Sequence, residues 1–209
     1  MSDEKLPPGQ YELDDFPRFG LSKFANRFPK ETHQVYLKIT GDIDESVTVS
    51  DELRHLPRVD QTSDFHCVTT WTRRSLRWSG FRFSDFYERI VIPRARPRRN
   101  SLFVFLRCQD GYASSLPLAD LLADTVLLAD RLNGEPLSIE HGAPLRLVAP
   151  AHYGLRTPST YALLSSGVMI ANIDDRRHFD SWTIRGLGLP WRSVAEEFRV
   201  GFFVICIAH

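Results

Sequence analysis

The apolar residues of this chain fall in many short, strand-length runs divided by turn signals, with only brief helical stretches between them. Such a pattern calls for sheets rather than a helical bundle. Val35–Ile39 alternates as a half-buried strand does and runs into a Gly41-Asp42 turn. Val47–Val49, Phe65–Trp71, Val126–Asp130 and Leu145–Val148 have strand composition, and Ser101–Arg107 has the length of a buried strand. Asn133-Gly134 is a hairpin turn, and Trp78-Ser79-Gly80 reads as another turn. The helical stretches are short: Asp51–Leu56 between a Ser50 cap and Pro57, Asp85–Ile90 opened by Ser84, and Pro117–Asp124. No internal repeat interrupts the pattern. The expected class is therefore α+β, mixed sheets with short helices. Residues 1–30 are Pro-rich, but Tyr11, Phe16, Phe19, Phe24 and Phe28 mark them as an arm lying against the body.

Charge removes several functions. Lys and Arg number 26 and Asp and Glu 26, so the chain is neutral overall. Neutrality gives no electrostatic case for a nucleic acid partner. The basic run Arg94–Arg99 is short and broken by proline, and reads as a solvated loop. No apolar run reaches membrane-spanning length, so no membrane span is expected. The start, MSDEKLPPGQ, has no apolar segment behind a basic head. It reads as neither a secretory nor a twin-arginine leader, and a cytoplasmic location is expected. Three scattered cysteines do not form a disulfide framework or a CxxC site.

The segment Asp64–Trp71 (DFHCVTTW) carries the most chemical information. A cysteine on a short strand is commonly a small buried hydrophobe. A functional thiolate needs nearby positive charge, which His66, Arg73, Arg74 and Arg77 can supply, and a thiolate suits a soft or highly oxidised metal. The residues alone leave these readings open. They also admit a Cys–His nucleophile pair with His66, His141 or His152, and a zinc site from Cys67, Cys108 and two histidines.

DFHCVTTWTRRSLRWSGFRFSDFYE resembles the molybdenum-cysteine signature of the sulfite oxidase superfamily. Its bacterial members include the catalytic subunit of the molybdopterin-dependent methionine sulfoxide reductase. Three further segments match in order: FPRFGLSKFA from Phe16, DGYASSLPLADLLADTVLLADRLNGEPL from Asp110, and HGAPLRLVAPAHYG from His141. The resemblance spans residues 9–156. It implies the sulfite oxidase molybdopterin-binding fold, a molybdenum–molybdopterin cofactor and oxygen-atom transfer on a small substrate of the sulfite or S-/N-oxide class. It implies a domain order of arm 1–30, molybdopterin-binding domain 31–156 and a divergent segment 157–209.

By the same resemblance Cys67 is the ligand of molybdenum. Arg18, His66, Arg107, His141, Arg146, Gly154, Leu155 and Arg156 fall at cofactor contacts, with Arg146 and Arg156 suited to phosphate. Asp110 and Tyr112 flank a turn facing the catalytic pocket, though Asp110 equally suits turn chemistry. Thr69 stands where reductase relatives carry Glu, so their substrate does not transfer, and Ser159 replaces a second Lys. No internal electron carrier is visible, which implies a separate partner, a haem or quinone-linked protein. The alternative is a cofactor-less, degenerate binding protein of the same fold. After Thr157 the resemblance ends. That segment is expected to pack irregularly without completing the core, although its apolar run Phe202–Ile207 is an aggregation hazard if left exposed.

Overall fold

The computed structural model describes residues 6–17, 34–67, 70–99, 101–108, 113–151, 168–169, 183–184, 189–190 and 201–207. Their strands are β1 (Tyr11–Glu12), β2 (Leu37–Gly41), β3 (Val47–Val49), β4 (Arg58–His66), β5 (Trp71–Arg82), β6 (Ser101–Cys108) and β7 (Ala113–Pro117). There follow β8 (Leu127–Leu132), β9 (Glu135–Pro136), β10 (Arg146–Val148), β11 (Val168–Met169), β12 (Thr183–Ile184), β13 (Leu189–Pro190) and β14 (Gly201–Ile207). The α-helical pieces are α1 (Phe83–Phe86), α2 (Ile92–Ala95) and α3 (Leu118–Leu121), of which α1 and α2 are joined end to end by a π turn. The α+β class read from the sequence stands.

Two sheets divide the work. In the first, β5 is flanked by β4 on one side and by β1 and β8 on the other, with β10 beyond β8. The second runs β11-β6-β14-β2-β3, with β7 also on β6. Leu37, Ile39, Val49, Phe81, Phe83, Phe86, Val104, Leu116, Leu128 and Leu147 belong to one large apolar core. A smaller cluster holds Leu76, Trp78, Leu127, Ala129 and Val148, with Phe16 and Phe65 against it. Because side chains alternate along a strand, neighbours on β8 and β10 feed the two clusters in turn: Leu128 and Leu147 one, Leu127, Ala129 and Val148 the other. The apolar stretch Leu127–Ala129 is thus the part of β8 buried on both faces.

Several expectations are corrected. Phe65–Trp71 is not one strand; it is a hairpin tip, with β4 ending at His66 and β5 beginning at Trp71. Trp78-Ser79-Gly80 is not a turn but lies inside β5, where the register with β8 shifts between Ser79 and Gly80. A Cβ on Gly80 would sit 2.1 Å from the Leu128 carbonyl oxygen, so glycine is there to let β8 pass. Ser50 makes no side-chain cap; its N–H donates to the Glu52 carboxylate at 2.8 Å. The helix after Phe83 runs on to Ala95, through a π turn at Tyr87–Val91. That wider turn precedes Pro93, whose ring would clash with the preceding turn of a regular helix. Pro117 closes β7, and the helix behind it is one turn long. The closing run did not pack irregularly: β14 lies between β6, which it parallels, and β2, which it opposes. Its backbone groups have partners on both sides, which removes the edge an isolated apolar strand would offer.

Candidate functional site

The β4–β5 hairpin presents Cys67. Its N–H donates to the Trp71 carbonyl at 2.8 Å, and its own carbonyl accepts from Thr70 N–H at 3.1 Å. The side chain is buried, 2% exposed. One residue before it, His66 lines a small cleft with Ser63, Asp64, Phe65, Trp78 and Arg146. Burial pushes the His66 imidazole below its usual range; Arg74 adds to this and Asp64 opposes it. Burial thus favours the neutral ring.

Arg146, on β10, is 3% exposed. Its guanidinium carbon lies 4.9 Å from the Trp78 ring centre, 5.5 Å from Phe16 and 5.8 Å from Phe65. Each aromatic face attracts the cation, more strongly when water is excluded. Arg146 also donates to the His141 carbonyl at 3.0 Å. His141 Nε2 donates to the Phe16 carbonyl at 2.9 Å, and the two rings stack with centres 4.9 Å apart. Gly142, at φ 102, lets the His141 turn close onto Arg146, because a Cβ there would stand 3.2 Å from the arginine Cβ. The motif HGAPLR thus folds back on itself to join His141 to Arg146.

His66 and Arg146 line one cleft, His141 is tied to it by the bond from Arg146 to its carbonyl, and Cys67 follows His66 at the hairpin tip. Arg107 lies on β6 of the second sheet, opposite Cys206 and Met169. Arg18, Asp110, Tyr112, Gly154, Leu155 and Arg156 lie outside the described residues. Of the cations expected beside Cys67, Arg74 is 3.3 Å from the Glu12 carboxylate, Arg73 donates to the Leu13 carbonyl at 3.4 Å, and Arg77 is exposed. Sequence reasoning did not single out Gln10, Phe65 or Thr72, and named Phe16 as one of the aromatics that lay the arm against the body and as the start of a matching segment. The aromatic content of the arm was the available signal for Phe16; a lone glutamine carries none.

The family model described as oxidoreductase molybdopterin binding domain matches residues 25–159. The chain belongs to that family. A molybdenum–molybdopterin cofactor goes with it, and the chemistry of the residues fits such a group: an imidazole and an enclosed guanidinium line one cleft, and a buried thiol is the next residue after the imidazole. Among the described residues no three His, Cys, Asp or Glu side chains form a metal cluster. An "uncharacterized oxidoreductase YuiH" of Bacillus subtilis is 36% identical over 71% of this chain and 72% of its own length. A "putative protein-methionine-sulfoxide reductase subunit YedZ1" of Azospira oryzae is 28% identical over 58% of this chain, which spans 45% of that protein. The sulfane dehydrogenase SoxCD from Paracoccus pantotrophus superposes with a TM-score of 0.51 at 20% identity, covering 72% of this chain and 38% of its own. That likeness speaks for the fold, the sulfite oxidase type of molybdopterin-binding domain. No described helix is long and apolar enough to cross a membrane.

Proposed function

We propose that this oxidoreductase transfers an oxygen atom to or from a small substrate of the sulfite or S-/N-oxide class, with Cys67 as the thiolate ligand of molybdenum. The observation that carries the reading is the place of Cys67, a buried thiol at a hairpin tip beside a cleft lined by His66 and Arg146. The bound cofactor supplies the two-electron oxygen-atom chemistry. The chain supplies the setting. Cys67 offers soft sulfur to the metal. Arg146 and Arg156 offer charge-assisted contacts to phosphate. His66 offers a polar edge, while Phe65, Trp78 and Leu147 keep water from the cleft wall. Arg18, Arg107, His141, Gly154 and Leu155 are assigned to cofactor contacts, and Asp110 and Tyr112 to the substrate side. Electrons pass to or from a separate haem or quinone-linked protein.

The test is Cys67→Ser with metal analysis. Turnover should be abolished and molybdenum retention weakened, with the fold intact, since serine is a poor ligand for a thiolate-preferring centre. Full activity with an unaltered molybdenum spectrum overturns the reading. One observation favours a second reading, in which the fold persists without its cofactor. Arg146 is 3% exposed and caged by aromatic rings, as a structural cation would be. Near-stoichiometric molybdenum and pterin in the purified protein decides for the enzyme; neither decides for the second reading.

A further inference from the structure

We propose that Gln10, on the N-terminal arm, is a positioning residue that sets the direction of the Cys67 side chain by clamping the hairpin tip. The inference rests on the reading of Cys67 as the metal's ligand. The tip is strained: Thr70, a β-branched residue, sits at φ 74. Such a conformation persists only where its surroundings over-determine it. The turn's own bonds are Cys67 N–H to Trp71 and Thr70 N–H to Cys67. The arm adds two backbone bonds, Tyr11 N–H to the Thr70 carbonyl at 2.9 Å and Leu13 N–H to the Thr72 carbonyl at 2.8 Å. Gln10 adds a side-chain bond, Nε2 donating to the Cys67 carbonyl at 2.9 Å.

The chemistry of the groups fixes the orientation of this amide. The Cys67 carbonyl only accepts, so the amide nitrogen faces it. The amide oxygen then faces Thr72, whose hydroxyl donates to it at 3.0 Å. That hydroxyl has one proton, so at its 2.8 Å contact with His66 it accepts, and His66 Nδ1–H donates. The donors run in one direction from His66 through Thr72 to Gln10, and the amide passes the constraint to the peptide of Cys67. Each bond in such a chain polarises the next. Holding the Cys67 carbonyl holds the peptide plane beside its Cα, and so the direction of the Cα–Cβ bond from which Sγ projects.

The variants are Gln10→Leu, of similar size without polar groups, and Gln10→Glu, which keeps the acceptor for Thr72 and loses the donor to Cys67. Cofactor-free protein is alkylated and the label is mapped by peptide mass spectrometry, which separates Cys67 from Cys108 and Cys206. Loss of one hydrogen bond should speed Cys67 labelling about two- to tenfold in both variants. The Mo(V) electron paramagnetic resonance spectrum of the loaded Gln10→Glu protein should shift in its g values. Cys67 labelling within about twofold of wild type overturns the proposal, as does a lowered Tm with labelling and spectrum unmoved. If Gln10→Leu and Gln10→Glu fail to fold, Thr72→Val decides by the same two criteria, with a smaller increase expected. Faster labelling joined to a molybdenum spectrum indifferent to Cys67→Ser would keep the clamp and overturn the metal reading instead.

Discussion

The first sheet has two faces that do different work. Toward the second sheet it presents Phe81, Leu128 and Leu147 to a core of aliphatic and aromatic side chains. On the opposite face Trp78, Leu127, Ala129 and Val148 meet the arm, and there the packing admits a guanidinium and an imidazole. The inner face gains stability from apolar area removed from water, which is insensitive to the direction of any one group. The outer face holds polar groups in set directions through rings and hydrogen bonds, at a cost the inner face must offset. One strand thickness separates them, so β5, β8 and β10 serve both without mixing their requirements.

Removing the largest inner side chains is expected to have the largest effect on stability. Phe86 is fully buried against Phe83, with ring centres 5.8 Å apart. Phe86→Ala should cost about 3–5 kcal/mol in urea unfolding. Pterin content per folded molecule should stay near wild type. Selective pterin loss in folded Phe86→Ala protein would break the division between faces.

Arg146→Ala tests the outer face. Loss of a charge-assisted phosphate contact should weaken cofactor binding by about 1.5–3 kcal/mol. Arg156→Ala should act alike, although Arg156 lies outside the described residues. Equal pterin release from wild type and both variants would argue for a structural arginine at 146 and against the phosphate assignment at both.

Phe16→Ala sharpens the comparison further. Its ring touches Phe65, Trp71, Trp78, His141 and Arg146, yet it comes from the arm. We expect a smaller stability loss than for Phe86→Ala, because an arm can settle into the gap, together with faster arm proteolysis near residue 16. A loss equal to that of Phe86→Ala would mean the arm belongs to the core.

The smallest effect concerns pH. The Ser50 N–H, then its own backbone N–H and Arg94, hold the Glu52 carboxyl below its usual range of about 4.5, against the opposing pull of burial. A depressed folded-state pKa contributes stability above the unfolded value, and loses it as pH falls through the folded one. Glu52→Gln should therefore lose a small amount of stability at neutral pH, small because the site is mostly solvated, and converge with wild type as pH falls below about 4.5, which flattens the acid limb. An unchanged acid limb in the variant would show that this carboxylate contributes nothing.

The sheet class, Ser101–Arg107 and the Asn133-Gly134 hairpin were legible because each is written in local period or turn chemistry. So was the family signature around Cys67, because cofactor chemistry repeats residue types at fixed spacing. The Trp78-Ser79-Gly80 segment misled for a physical reason: a glycine that ends a strand and one that admits a neighbouring backbone look alike until β8 is in place. The fate of the closing run was decided the same way. Phe202–Ile207 announced an apolar strand, but only the gap between β6 and β2 determined that it would be an inner one. The clamp on Cys67 left no trace in the chain's pattern. Gln10 stands 57 residues from Cys67 and 62 from Thr72, and hydrogen bonds across such distances obey no period. By itself the sequence determined which chemistry this protein can house. The tertiary structure decided which side chains hold that chemistry in place, because direction is set by contacts between strands that the linear order keeps apart.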